Sequence, residues 1–338
     1  MRVSIEDAVF GDVNNRQKLV QLLIFAYEGR HSVLTIPLAE MTESGIKLPN
    51  LAGAWLESNA SLDKEAWSMA FKWSIEDEAL APPKKEIQII QGESNWGKSV
   101  PNLSINDAVN VLSRPLSILV ENNINDRNFV LVCARNEWKK KIIEAENKSW
   151  LSFAHGGGGD MSPQIREMSL TPLASNRCFA LFDSDALRPG VISAAANKKI
   201  NLCTAANIPH HCLKRRAIEN YIPCPKLKQW AYKEPTRHLE MQKRQRRVLP
   251  FVNLSEAQRH HFNLKRGFLG DARHADRTPE VDVLYATLAT AVRSALDEGI
   301  DPGIAPDTFG EGIVEDWLIS DNQTAETNAF VSKILEVL

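Results

Sequence analysis

Three carboxylates stand where short, largely apolar runs end. Glu121 follows "LSILV", and Asp183 and Asp185 follow "CFALF" as the triplet "DSD". Runs of this length and composition read as buried strands of a parallel sheet, and ligands of such sheets bind beyond the carboxyl ends of the strands. In an extended strand end Asp183 and Asp185 hold alternate positions, so both side chains would face one side. Carboxylates gathered there repel one another unless a cation neutralises them, and hard oxygen donors favour Mg²⁺ or Mn²⁺. The expectation is a divalent-metal site built on Glu121, Asp183 and Asp185. The competing reading is structural: a strand-end carboxylate can be held by a cap or an arginine, and one Asp can close an Asx-turn.

The elements that must position these residues follow from periodicity. In residues 1–83, "NRQKLVQLLIFAYEG" puts Leu19, Leu22, Leu23 and Ala26 on one helical face, with Gly29 as its stop. "HSVLTIPLA" reads as a strand, and Trp55, Trp67 and Trp73 fall in a helical stretch as packing residues. This first region is expected to be α+β, closed by the linker "ALAPPKKE". Residues 84–270 then alternate: strand "EIQIIQ", helix "SINDAVNVL", strand "LSILV", helix "INDRNFVLVCARNEW", strands "SWLSFA" and "RCFALFD". "KKINLCTA" is expected as a fourth short strand, and "HHCLKRRAIENYI" as the opening of a helix. Alternation of this kind implies an α/β sheet with right-handed crossovers. Residues 271–338 form an expected helical tail, with "VLYATLATAVRSALDEG" its clearest helix.

Taken in order, Glu121 at one strand end and Asp-x-Asp at a later one resemble the TOPRIM domain of primases, topoisomerases and some nucleases. Between them "HGGGGDM" is similar to the glycine turn after that domain's second strand, and "LKRRAIENYIP" resembles the Arg-Arg-x-x-Glu-x-Tyr segment of OLD-type (overcoming lysogenization defect) nucleases and related anti-phage proteins. The resemblance covers under half of the chain. It implies a TOPRIM-like parallel sheet flanked by helices, and a Mg²⁺- or Mn²⁺-dependent nuclease acting as a toxic effector in bacterial defence. Glu219 would then be a further metal ligand, its other reading being a surface ion pair with Arg215 or Arg216. The family often places an Asp four residues after the glutamate. Here Asn125 holds that spot, so Asp126 either takes the role through a one-residue insertion or caps a helix. Lys265, in "FNLKRGFLGD", is the candidate for the lysine that such nucleases set near the scissile phosphate. OLD-type proteins carry an ATPase domain that this chain does not complete, which implies a separate ATPase or sensor partner.

Charge is unevenly distributed over the 338 residues. Residues 210–247 hold 11 Lys or Arg against 3 Asp or Glu, a net of +8, while residues 280–338 hold 2 against 12, a net of −10. The basic block, with Lys214, Arg215, Arg216, Arg244, Arg246 and Arg247, suits a nucleic-acid backbone or a solvated helical face. The acidic end suits a partner-facing or solvated helical face. Five scattered cysteines without a CxxC pair suggest reduced thiols, and no apolar run approaches a membrane span, so a cytoplasmic protein is expected. Homo-oligomer formation is compatible with all of this. Two rival readings stand beside the nuclease. "GESNWGKS", with Gly92, Lys98 and Ser99, fits the Walker A pattern of a nucleotide-binding P-loop, although Pro101 follows where a helix should begin. The other is a non-catalytic interaction module docking through its acidic helices.

Overall fold

The structure, a computed structural model, describes the chain except residues 43–44, 60–63, 81–83, 157–159, 234–237, 302 and 311–321. It is an α/β protein with parallel sheets flanked by helices. The first sheet joins β1 (Arg2–Glu6), β2 (Ser32–Ile36), β5 (Glu86–Ile89) and β6 (Asn102–Leu103) in the order β2-β1-β5-β6. A separate antiparallel hairpin is formed by β3 (Glu40–Thr42) and β4 (Gly45–Lys47). The second sheet joins β7 (Leu116–Val120), β8 (Leu151–His155), β9 (Cys178–Phe182) and β10 (His210–Cys212) in the order β10-β9-β7-β8. Every pairing within the two four-stranded sheets is parallel.

Burial explains why the two central strands read so clearly. All five residues of β9 are buried, as are four of the five in β7. Their side chains divide by period two between two apolar layers. Leu116, Ile118, Val120, Phe179 and Leu181 face one core, with Phe129 and Val130 from helix Asn125–Cys133 and Ile142 from helix Asn136–Asn147. Leu119, Cys178, Ala180 and Phe182 face the other, with Ile165 and Cys203 from helices Ser162–Ser169 and Ala194–Ala205. A strand covered on both faces has no polar side to show, hence its near-continuous apolar sequence.

Three expectations about organisation change. β5, the "EIQIIQ" strand, pairs with β1 in the first sheet, and its Ile87 and Ile89 are buried with Val3 and Ile5. The first core therefore runs from Met1 to Leu112 and the second opens at Leu116, so the boundary lies near residue 114 and not at 83. The first region is itself a parallel α/β unit with one hairpin. The tail is not a separate region: helix Thr324–Val337 buries Phe330, Val331, Ile334 and Val337 in the second core. The single helix expected over "VLYATLATAVRSALDEG" is broken into Pro279–Leu284 and Thr290–Leu296.

Two local assignments also reverse. "KKINLCTA" belongs to helix Ala194–Ala205, capped by the Ser193 hydroxyl accepting from Ala196 N at 3.0 Å. Ala196, Lys199 and Cys203 lie buried at intervals of three and four, the helical period, which outweighs the β-propensity of the middle. The fourth strand is "HHC" at His210–Cys212. Among the described residues, no helix is long and apolar enough to cross a membrane.

Candidate active site

Strand order places the site. From β7 the chain passes to β8 on one side and then to β9 on the other, so the carboxyl ends of β7 and β9 flank a topological switch point, where α/β sheets bind ligands. Glu121 leaves β7 there and Asp183 leaves β9, on strands paired Leu119 to Ala180. A pocket of about 320 Å³ opens between them, lined by Glu121, Asp126, Asp183 and Glu219 with His155 and Lys265. The carboxylates come from three connections, Glu121 and Asp126 both standing on the one that follows β7. Asp126 sits in the first turn of helix Asn125–Cys133, where its Oδ2 accepts from Asn122 N at 2.9 Å. Glu219 is carried by the 3₁₀ turn Ile218–Tyr221, not by the expected helix, and the same turn donates Ile218 N to Asp183 Oδ1 at 3.1 Å.

Two lysines neutralise this cluster. Lys265 Nζ lies 2.9 Å from Glu219 Oε1, and Lys199 Nζ lies 2.6 Å from Glu121 Oε1. Glu219 is only 3% exposed, and its other oxygen, Oε2, is buried without a partner. A buried charged oxygen left unsatisfied is costly and calls for an explanation such as an ion. The electrostatics follow from crowding. Burial, then Glu121 and Glu219, push the Asp183 carboxyl well above its ordinary range. Burial, with Glu121 and Glu219 adding to it, raises Asp126 to about 7. For Lys199 burial acts against the charged form, but Glu121, Asp185 and Asp183 outweigh it and the ammonium is strengthened. Lys265 is raised in the same way, against burial, by Glu219 and Asp183.

The four carboxylates fit a hard divalent cation in type: they are anionic oxygen donors, with one oxygen orphaned. In the geometry at hand Glu121 and Glu219 are each paired to a lysine, while Asp126 and Asp183 each accept from a backbone N–H. Among the described residues, no group of three His, Cys, Asp or Glu side chains is arranged to hold a metal ion.

The expected site residues are only partly brought together. Glu121, Asp126, Asp183, Glu219 and Lys265 share the pocket. Asp185 does not, which corrects the pairing with Asp183. The chain leaves the extended conformation after Phe182, Ser184 Oγ donates to Arg215 O at 2.8 Å, and Asp185 adopts φ 49° with its N–H on Arg216 O at 2.9 Å. Alternation ends with the strand, and Asp185 lines a smaller cavity beside Ser193 and Asp276. Of the glycine turn, Gly156 is described and residues 157–159 lie outside the described residues. Gly156 N donates to Val120 O at 2.6 Å, and a Cβ there would meet that oxygen at 2.8 Å, so only glycine fits against the end of β7.

The basic block is corrected more strongly. Arg215 and Arg216 are 5% and 6% exposed. Arg216 forks onto Asp271 with two bonds of 2.7 Å, and Arg215 donates to Asn220 O at 2.8 Å while lying over the Tyr221 ring. Neither offers a surface to phosphate. Arg244 stacks 4.2 Å from the Trp230 centroid and approaches Asp307 at 3.8 Å, and Arg247 pairs with Glu298. Part of the acidic end thus neutralises the basic block within the chain. Glu326 does likewise: burial would raise its carboxyl, but bonds from His211, Tyr221 and Lys214 N hold it below its ordinary value. Lys214 and Arg246 remain exposed.

The Walker A match lacks the helix that a P-loop places at its Lys-Ser pair. Residues around Gly92 form bends closed by an Asn95–Asn102 bridge, and the next helix opens only at Ile105, capped by Ser104. Among the described residues, no helix begins at Lys98 or Ser99. A larger cavity of about 430 Å³ lies between the two units, beside Trp73, Trp138 and Trp150, away from the carboxylates.

Sequence reasoning missed Lys199 and His155. Lys199 was hidden by reading its segment as a strand; at helical spacing it falls between Ala196 and Cys203 on the buried face, which is the signal that could have found it. Compared with known protein families, curated proteins and solved structures, the chain finds no match in any of the three.

Proposed function

We propose that this chain is a divalent-metal-dependent nuclease that hydrolyses phosphodiester bonds of DNA or RNA. The reading carries with it the TOPRIM-like resemblance and a role as an effector in anti-phage defence beside a separate ATPase or sensor protein. One observation supports it above the rest: four carboxylates and a half-exposed lysine converge on a switch-point pocket, with one buried carboxylate oxygen unpartnered.

Asp183, Glu219 and Asp126 would hold Mg²⁺ or Mn²⁺, which when bound supplies an acidified water and a counter-charge for the phosphate. The chain's own groups do the rest. Lys265, 47% exposed at the pocket, can turn from Glu219 to a phosphoryl oxygen and offset charge developing there. Exposed Lys214 and Arg246 can meet the backbone without reading sequence.

The test is cleavage of labelled DNA and RNA with Mg²⁺ by wild type and Asp183→Asn. The amide keeps an acceptor for Ile218 N, so the fold should survive while cleavage falls by about 10²-fold or more, the scale of losing one key electrostatic group. Wild-type cutting by the variant, or cutting that persists after chelation, would reject the assignment.

A further inference from the structure

We infer that the pocket takes one divalent ion, and that the buried ammonium of Lys199 holds the place beside Glu121 that a second ion would occupy. The inference rests on the metal reading above and deepens it. It starts from an asymmetry between the two lysines. Lys265 is 47% exposed and reaches Glu219 from the pocket mouth, so it can swing into solvent when a stronger cation arrives. Lys199 is 2% exposed and cannot.

Its confinement is built into the fold. Lys199 lies on helix Ala194–Ala205 between buried Ala196 and Cys203, the latter packed with Ala180 and Phe182 of β9. The stem therefore passes through the packed layer, and the ammonium emerges 2.6 Å from Glu121 Oε1 and 5.2 Å from the Phe182 ring centroid. A carboxylate and an aromatic face together hold a cation well where water is scarce. Glu121 is thus already satisfied by a fixed charge. A divalent ion beside it would lie against that ammonium with little solvent to screen the repulsion.

The other side of the pocket is the reverse. Glu219 offers an unpartnered buried oxygen, and the lysine paired with its other oxygen is half-exposed and displaceable. Asp183 and Asp126 are each anchored through a single oxygen to a backbone N–H. To hold one ion there, Glu219, Asp183 and Asp126 would draw together as Lys265 swings out, with Lys199 positioning Glu121 and supplying the second positive charge. Lys199 is a positioning residue, acting through Glu121.

The experiment is Mn²⁺ binding to the full chain, followed by calorimetry and by the loss of the free-ion paramagnetic resonance signal. Wild type should bind one ion per chain. Lys199→Met, which keeps the stem but removes the charge, frees Glu121 and should raise the count to two, while Lys199→Arg should leave it at one. Two ions in the wild type would overturn the inference while leaving the metal reading intact, and so would a folded Lys199→Met variant that still binds one. If Lys199→Met fails to fold, the wild-type count alone decides. No binding by the wild type would sink the metal reading and this inference together.

Discussion

Arg216 is where sequence and structure give opposite forecasts, and replacing it by alanine separates them. Its guanidinium makes two 2.7 Å bonds to Asp271 and a third of 3.2 Å to His261 O. The paired side chains are 7% and 4% exposed, so neither charge is served by water. Among the described residues, Arg216→Ala leaves buried Asp271 with only Asn263 Nδ2, at 3.0 Å, still donating to its side chain. Breaking a buried pair from one side costs roughly 3–5 kcal/mol, mostly the penalty of the abandoned charge. In a domain of this size each kcal/mol shifts Tm by about 2–4 °C, so the melt should fall by roughly 6–20 °C. Because Arg216 O also anchors Asp185 N, the turn beyond Asp183 should loosen too. Thermal unfolding followed by circular dichroism measures the effect, and removing both charges with Arg216→Met and Asp271→Leu should recover much of it. A variant melting within about 2 °C of wild type, yet binding nucleic acid more weakly, would show Arg216 to be a surface phosphate contact and refute the buried-pair reasoning.

In the metal-free protein, Asp126 titrates near 7 against an ordinary 3.8, so it binds its proton more tightly folded than unfolded. Its contribution to stability is full below about pH 4 and lost as pH rises through about 7; the Tm of Asp126→Asn relative to wild type should rise over that window, and a constant difference would contradict the burial argument. Arg246 is the exposed member of the three arginines at 244, 246 and 247, so Arg246→Ala should reduce the salt slope of nucleic-acid affinity by about one. Arg244→Ala should leave that slope unchanged, since its guanidinium is spent on Trp230 and Asp307; equal slope losses in the two variants would place both on the binding surface.

What could be read in advance was whatever one strand or one helix decides alone. β7 and β9 are buried on both faces, so their sequences are apolar throughout and their polar ends are visible. That was enough to bring Glu121 and Asp183 to adjacent strand ends. Asp185 was misplaced because alternation was extended past the last paired residue, into a turn set by the distant carbonyls of Arg215 and Arg216. Arg215 and Arg216 looked like surface charge because a buried arginine differs from an exposed one only through its partner, and Asp271 lies 55 residues on. The boundary near residue 114 was hidden for a similar reason. Nothing within "EIQIIQ" says whether it pairs with β1 or with β7; pairing with β1 is a non-local choice made by the buried faces of both strands.

The central claim is that Asp183, Glu219 and Asp126 share a divalent ion. It is tested most directly by a crystal of the full chain soaked in Mn²⁺, with anomalous diffraction recorded at the manganese edge. The account predicts one anomalous peak in the switch-point pocket, bonded to Glu219 Oε2 and Asp183, with Lys265 turned away from Glu219 and Lys199 still on Glu121. A pocket without a peak, its carboxylates still paired to both lysines, would contradict it.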